Sequence, residues 1–316
     1  MSAIRYLPVA TFATIMGSTG LTLAWQKAAE IFGVPLLVSE LLLWFSAGLM
    51  LLLGGSYAIK FLRHSEEVYK EFYHPIKISF FPAYTIGLML LATALHPYQS
   101  QIALILWSVG AAGQLVLTLF LMNQWIHHTK TQVNHTTPAW FIPIVGNIIA
   151  PIEAVSLGFI DIGWFFFSIG LVYWIVLKVL VFNRVLYHEP LPQNLLPTLF
   201  ILVAPPAVGF IAYQRLSDGA YDTLAHILYY TALFLVLLLV TQIGRFVRLP
   251  FFISWWAYSF PLAAFTIASM IMYEHTQALP MKLLSGVMLG LISSLIALLA
   301  WRTARVAVSG ALFKPD

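Results

Sequence analysis

The sequence contains no cysteine and little charge of either sign. Among its 316 residues, Asp, Glu, Lys and Arg together make up 9%, whereas soluble domains are about 25% charged. The absence of cysteine excludes disulfides, iron–sulfur clusters, thiolate zinc sites and thiol nucleophiles. The shortage of charge, combined with a hydrophobic content of 60%, excludes a water-soluble globular domain of this length.

Long apolar runs occupy nearly the whole chain. Because a helix needs about 20 apolar residues to cross a bilayer, the sequence predicts ten transmembrane helices. They lie at roughly 7–25, 34–59, 78–95, 101–126, 138–160, 162–182, 194–214, 223–243, 251–273 and 281–301. No remaining stretch is long enough for a soluble domain, so we expect residues 1–316 to form a single all-α integral membrane domain.

The basic residues are distributed unevenly between alternate loops. Three of them, Lys27, Arg215 and Lys282, lie on one side of the predicted membrane. The other thirteen lie on the side that holds the N-terminus and are Arg5, Lys60, Arg63, Lys70, Lys77, Lys130, Lys178, Arg184, Arg245, Arg248, Arg302, Arg305 and Lys314. The positive-inside rule then predicts that both termini are cytoplasmic. The basic excess therefore indicates topology and no nucleic-acid partner.

Proline occurs inside alternate spans only. A proline within a helix leaves backbone groups unpaired, which a membrane tolerates only where they are buried in protein or line a water-filled cavity. The first span carries Gly17 and Gly20 instead, a second common cause of bending. Away from the first two residues of each span, the odd-numbered spans contain Pro82, Pro143, Pro151, Pro197, Pro205, Pro206 and Pro261, and the even-numbered spans contain none. We therefore expect kinked odd-numbered helices and straight even-numbered ones.

These positions recur at a nearly constant interval. Gly20, Pro82, Pro143 and Pro205 are separated by 62, 61 and 62 residues, and Pro261 follows after 56. Such periodicity indicates an internal repeat. It predicts five helix hairpins in a pseudo-fivefold array, with an inner ring of kinked odd-numbered helices that lines a pore. The alternative is that the prolines only shape the packing of the helices.

Six short motifs follow one another along nearly the whole chain. They are Met16-Gly17-Ser18-Thr19-Gly20, the run 62–75, Gly113-Gln114-Leu115, Ala204-Pro205, Asp222-Thr223-Leu224-Ala225 and Trp256-Ala257-Tyr258-Ser259-Phe260. Their order and spacing resemble the tellurite-resistance and dicarboxylate transporter family, which has bacterial members related to the plant slow anion channels. The resemblance implies a homotrimer in the bacterial inner membrane, in which each subunit holds its own pore lined by the odd-numbered helices.

The resemblance also implies a gate. In the family a phenylalanine on the ninth helix closes the pore at mid-membrane, and the matching residue here is Phe260. Pro261 follows it where close relatives have glycine, and the first helix lacks the family's proline. The implied function is a gated channel for small inorganic anions. The alternative is a proton-coupled secondary transporter of a dicarboxylate or a tellurite-type oxyanion.

Ionisable groups are scarce within the spans. The third, seventh and ninth spans contain no Asp or Glu, in contrast to the carboxylate rings of cation channels, and this favours anions. Glu153, in the fifth span, is the candidate for proton coupling, and the alternative is a hydrated carboxylate near the outer mouth. Metal-ligand spacing, nucleophile–base pairs and phosphate loops are not recognised, so we predict no metal, no cofactor and no enzymatic activity.

Overall fold

The computed structural model describes residues 4–127 and 132–314, which are helical and contain no β-strand. Lys130, one of the basic residues assigned above to the cytoplasmic side, lies outside these ranges. The α-helices are α1 (Ala13–Phe32), α2 (Leu37–Arg63), α3 (Ser65–Phe72), α4 (Pro82–Leu95), α5 (Ser100–His127), α6 (Phe141–Ser156), α7 (Ile160–Tyr187), α8 (Ala204–Leu216), α9 (Thr223–Val240), α10 (Ile243–Phe246), α11 (Ser259–Thr276) and α12 (Leu279–Val308).

The ten predicted spans correspond to all of these helices except the short α3 and α10. Within the described residues, nine helical segments are long and apolar enough to cross a membrane. The remaining span, α1, is 20 residues long but carries many polar side chains. Ser18, Thr19 and Thr22 of α1 are completely buried, so their contacts are with protein and not with lipid, and α1 forms the first hairpin with α2.

The five inner helices form a closed ring. Helix α1 packs against α4, α4 against α6, α6 against α8, α8 against α11, and α11 returns to α1. Each inner helix also pairs with the long helix that follows it, and that outer helix contacts the inner helix of the next hairpin. The same arrangement repeats five times around one axis. The structure thus confirms the five hairpins and the pseudo-fivefold array.

Apart from Pro151, which lies inside α6, the irregular backbone of the inner ring lies at the N-terminal ends of its helices. Each inner helix is preceded by a 3-10 segment, and these segments are Val9–Phe12, Lys77–Phe80, Pro138–Trp140, Leu196–Val203 and Ile253–Tyr258. Pro82, Pro143, Pro205 and Pro261 lie in the first turn of the α-helix that follows. Their missing N–H groups would have no partner within that helix in any case. The kink predicted for these spans is therefore a change from 3-10 to α geometry in the N-terminal part of each span.

Burial separates the two rings. In the spans that contain α4, α6, α8 and α11, 83% of the most apolar stretch is buried, compared with 22% to 33% in α2, α5, α7, α9 and α12. Large apolar side chains such as Leu51 on α2 and Val179 on α7 are exposed. The outer ring therefore presents the apolar surface that faces lipid or other subunits.

Two glycines of α1 allow α11 to approach closely. A Cβ atom at position 17 would lie 2.1 Å from the Oγ and 2.7 Å from the Cβ of Ser259. At position 20 it would lie 3.1 Å from the Cβ of Ala263 and 3.3 Å from Cδ2 of Phe260. Gly17 and Gly20, which the sequence predicted as a site of bending, thus serve to close the ring between its first and last helices.

Gly17→Ala should lower the thermal stability of the detergent-solubilised protein. Overpacking of this kind costs about 1–3 kcal/mol, which exceeds the roughly 0.5–1 kcal/mol that alanine gains over glycine in a helix. Gly48→Ala on α2 is the matched control, because no atom lies within 4 Å of the added methyl group. Equal melting temperatures for the two variants would contradict the close approach of α1 and α11.

Candidate functional site

A cavity opens at the C-terminal ends of the five inner helices. Its volume is about 460 Å³, and every inner helix contributes to its wall. The contributors include Gly20 on α1, Leu90 on α4, Ile152 on α6, Val208 on α8 and Ile267 on α11. A cavity enclosed by all five helices lies on the axis of the ring. We call it the outer vestibule.

A second cavity on the same axis is much smaller and has only apolar side chains in its wall. Its volume is about 40 Å³, and the five inner helices contribute to it through Met16, Ile86, Ile149, Ala204 and Pro261. Because one water molecule needs about 10–15 Å³ of such space, there is room for only a few. An ion without its hydration shell has no polar partner there. We call this cavity the apolar constriction.

Phe260 separates the two cavities. It lines both the outer vestibule and the apolar constriction, and no other described residue does so. The residue lies in the first turn of α11 and is 7% exposed. Gly20 leaves the space that its ring occupies against α1. The side chain that the family resemblance implied as a gate is thus on the axis, between a wide cavity and a narrow one.

A third cavity, of about 530 Å³, lies at the N-terminal ends of the inner helices. Val9, Lys77, Asn194 and Ile253 line it at the entrances to four of these helices, and Phe80 lines both this cavity and the apolar constriction. We call it the inner vestibule. The apolar constriction therefore adjoins the outer vestibule at Phe260 and the inner vestibule at Phe80.

Glu153 lies at the wall of the outer vestibule, and its side chain is buried. The residue is 1% exposed, and its Oε1 atom is 2.6 Å from Nδ1 of His96, which directly follows α4. The position beside the outer vestibule agrees with the alternative of a group near the outer mouth, and proton coupling through Glu153 stays a prediction. Sequence reasoning missed His96, since the two residues are 57 positions apart and no motif links them.

Two cations line the outer vestibule in different surroundings. The Nζ atom of Lys27 is 3.0 Å from Glu30 and 2.9 Å from Glu274, so its charge is balanced locally. Arg215 is exposed and donates a hydrogen bond of 2.5 Å to the hydroxyl of Ser156. Within residues 4–127 and 132–314, no carboxylate lies within 4 Å of its guanidinium. Arg215 therefore gives the outer vestibule a cation that can attract an anion.

The other predicted site residues lie behind the wall. Gly17, Pro82, Pro143 and Pro205 are buried and do not line the three axial cavities. The carbonyl of Pro143 points to the outer ring, where it accepts hydrogen bonds of 2.7 Å from both Gln114 and Thr118. Of the predicted set, Gly20, Glu153, Phe260 and Pro261 border the pathway.

A buried ion pair fixes the entrance of α1. Glu71 on α3 accepts hydrogen bonds of 2.6 Å from both Lys60 and Tyr57, and a third of 3.3 Å from the backbone N–H of Val9. Lys60 is 1% exposed and donates in turn to the carbonyl of Leu7 at 2.8 Å. Lys60, which the loop count assigned to the cytoplasmic side, thus holds the first 3-10 segment against α2 and α3.

A second ion pair lies nearby at the surface. The Nη2 atom of Arg5 is 2.7 Å from Glu67 on α3. Hydrogen bonds from Arg5 and Lys70 hold the pKa of the Glu67 carboxyl below its usual value. A carboxyl whose pKa is lowered by folding stabilises the protein above its ordinary pKa and loses that contribution as the pH falls through the lowered value. This link between the N-terminal segment and α3 is therefore intact at neutral pH.

Comparison with known proteins identifies the family. The sequence model of the SLAC1 family, described as voltage-dependent anion channel, matches residues 6–304. The chain belongs to this family. The match covers all of the inner and outer helices apart from the last residues of α12, and it confirms the resemblance found from the motifs. The protein is thus a multi-pass membrane protein of an anion channel and transporter family.

Relatives in this family come from plants and bacteria. S-type anion channel SLAH2 of Arabidopsis thaliana is 30% identical over 317 residues, which are 98% of this chain and 61% of the relative. Guard cell S-type anion channel SLAC1 of the same plant is 25% identical over 283 residues, or 86% of this chain and 50% of the relative. The chain thus spans about half to three fifths of these plant proteins. A tellurite resistance protein TehA homolog of Haemophilus influenzae is 28% identical over 269 residues, or 85% of this chain and 82% of the relative.

His96→Ala should destabilise the protein, because it removes the hydrogen bond of 2.6 Å that His96 makes with the buried carboxyl of Glu153. A buried polar group that loses its hydrogen bond costs about 1–3 kcal/mol. Thermal unfolding in detergent would measure the loss, and His188→Ala, at an exposed histidine after α7, is the control. If both variants unfold at the same temperature, the contact between His96 and Glu153 contributes nothing to stability.

Proposed function

We propose that each subunit of this protein is a gated channel that conducts small inorganic anions along the axis of the inner ring and is closed by Phe260. The observation that carries the proposal is the position of Phe260, the one described residue that borders both the outer vestibule and the apolar constriction. An aromatic ring across an apolar passage blocks ions because it excludes the water that they need. Movement of this ring would join the two cavities.

The lining of the pathway supports anions over cations. Arg215 provides a cation at the outer vestibule, and no carboxylate of the described residues lies within 4 Å of its guanidinium. The apolar constriction contains no acidic side chain in its wall, whereas cation pathways usually carry Asp or Glu rings. The plant relatives are named as anion channels, which agrees with this electrostatic pattern.

We also propose that residues 1–316 form a single transmembrane domain that assembles as a homotrimer in a bacterial inner membrane. The family resemblance supports the trimer, and the exposed apolar surface of the outer ring offers area for subunit contacts. The distribution of Lys and Arg between alternate loops supports cytoplasmic termini. In this orientation the inner vestibule faces the cytoplasm.

Phe260→Ala should raise the anion current of the purified protein in planar bilayers. We expect at least a tenfold rise, because removal of a barrier of only about 1.4 kcal/mol already corresponds to a factor of ten. Met270→Ala is a matched control, since Met270 is a buried residue of the same helix that packs between α1 and α12 and does not line the axial cavities. Currents that are equal in Phe260→Ala, in Met270→Ala and in the parent would exclude Phe260 as the gate.

A second candidate function is proton-coupled transport of a dicarboxylate or a tellurite-type oxyanion. The observation that favours it is the contact between His96 and the buried Glu153 at the outer vestibule, because a carrier of this kind needs a titratable group beside its substrate path. The substitution Glu153→Gln keeps the size and one hydrogen bond of the side chain but removes the exchangeable proton.

Glu153→Gln should leave the unitary anion current of the channel within a factor of about two, since the glutamine can still bond to His96 and the pathway keeps its shape. Single-channel recording in symmetric chloride would measure the current, and uptake into proteoliposomes under a pH gradient would measure proton coupling. The carrier hypothesis would replace the channel hypothesis under one combination of results. The parent would show proton-driven uptake that Glu153→Gln lacks, and neither protein would show unitary currents.

A further inference from the structure

A groove on the outer surface lies behind the gate helix. Its volume is about 510 Å³, and its walls come from α9, α10, α12 and the start of α11 with its 3-10 segment. Apolar side chains such as Val236, Leu262 and Leu295 line most of its length, and Arg302 lies at one end. We call it the lateral groove. It is separate from the axial pathway, because Phe260 does not line it.

Two polar atoms in the wall of the lateral groove have no partner. Tyr258 is 6% exposed, and its buried hydroxyl makes no hydrogen bond with any described residue. The buried Nε1 atom of Trp255 is likewise unpaired in the described ranges, and the two rings are 5.7 Å apart. Both side chains line the groove, and an occupant whose acceptor oxygens reached these donors would remove the cost of leaving them unpaired.

The charged end of the groove also has no counter-ion. Arg302 is exposed near the C-terminal end of α12, and its guanidinium lies 5.4 Å from the centre of the Trp301 ring. Among the described residues, no carboxylate lies within 4 Å of it. An occupant that matches this surface has an anionic group at one end, acceptor oxygens next to it and a long apolar body.

We propose that the lateral groove binds an anionic phospholipid. The phosphate lies at Arg302, the ester carbonyls accept hydrogen bonds from Tyr258 and Trp255, and an acyl chain extends along the apolar wall formed by α9 and α12. Arg302 lies on the side of the membrane that holds the 3-10 segments, so in the orientation proposed above the lipid belongs to the cytoplasmic leaflet. Basic residues at that surface favour anionic lipids.

A lipid in this position would contact the segment that carries Phe260, on the side that faces away from the axis. Tyr258 and Leu262 both line the lateral groove, and they lie two residues before and two residues after Phe260 on the same helical segment. The occupied groove would therefore support the first turn of α11 from the lipid side, while Gly20 of α1 contacts it from the other side.

Native mass spectrometry of the solubilised protein with added phosphatidylglycerol tests this proposal. We expect Arg302→Gln to weaken phosphatidylglycerol binding about fivefold, the factor that corresponds to about 1 kcal/mol for one basic residue at an anionic surface. Arg305→Gln is the matched control, because Arg305 lies over the same Trp301 ring, at 5.6 Å, and does not line the groove. This control should bind the lipid as the parent does.

Tyr258→Phe gives a second readout inside the groove. Loss of the hydroxyl should weaken phosphatidylglycerol binding about threefold, because a net hydrogen bond contributes about 0.5–1.5 kcal/mol, and should leave the apolar packing unchanged. If Arg302→Gln and Arg305→Gln weaken phosphatidylglycerol binding equally, the effect comes from surface charge alone and the proposal is overturned. Unchanged phosphatidylglycerol binding in Arg302→Gln or in Tyr258→Phe would also overturn it. Leu291→Trp places a larger side chain in the wall of the groove. If this variant dissociates the oligomer, the groove is a contact with a neighbouring subunit, and the proposal is overturned.

Discussion

Inside a bilayer, a backbone N–H or C=O group can be satisfied only by the protein or by water in a cavity. The five 3-10 segments, their prolines and Pro151 within α6 are the parts of the inner ring where the α-helical ladder is interrupted. Polar side chains of the outer ring also bond to the inner backbone, as Gln114 and Thr118 do at the carbonyl of Pro143. The alternation of regular outer helices and irregular inner ones follows from this constraint.

The same constraint leads to the pathway. When five irregular segments turn inward, their side chains meet around an axis, and the size of each side chain decides where space remains. Gly20 leaves room for the ring of Phe260, and isoleucine and methionine side chains narrow the passage beside it. The wider outer vestibule has polar side chains in its wall, such as Gln26 on α1, His96 directly after α4 and Arg215 on α8. A closed gate and a charged mouth are thus consequences of one arrangement.

Most of the fold could be predicted from the sequence, but fewer of the contacts at the candidate site could. The repeated interval between Gly20, Pro82 and the later prolines was sufficient to predict the hairpins, because a broken helix in lipid must be sheltered. Phe260 is one of 23 phenylalanines, so only the family resemblance could distinguish it before the structure was known. The contacts of Glu153 with His96 and of Lys60 with Glu71 could not be predicted, since each pair joins separate helices without any spacing that marks it. The packing role of Gly17 likewise depends on the position of α11.

The central claim is that Phe260 closes an axial passage, and side-specific cysteine labelling tests it most directly, because the chain has no native cysteine. Ile267→Cys places a thiol in the outer vestibule, and Val145→Cys places one in the apolar constriction. A membrane-impermeant thiol reagent added from the outer side should label Cys at position 267 in the otherwise unchanged protein. It should label Cys at position 145 only when Phe260→Ala is also present. Rapid labelling at position 145 with Phe260 intact, or continued protection in its absence, would contradict the account.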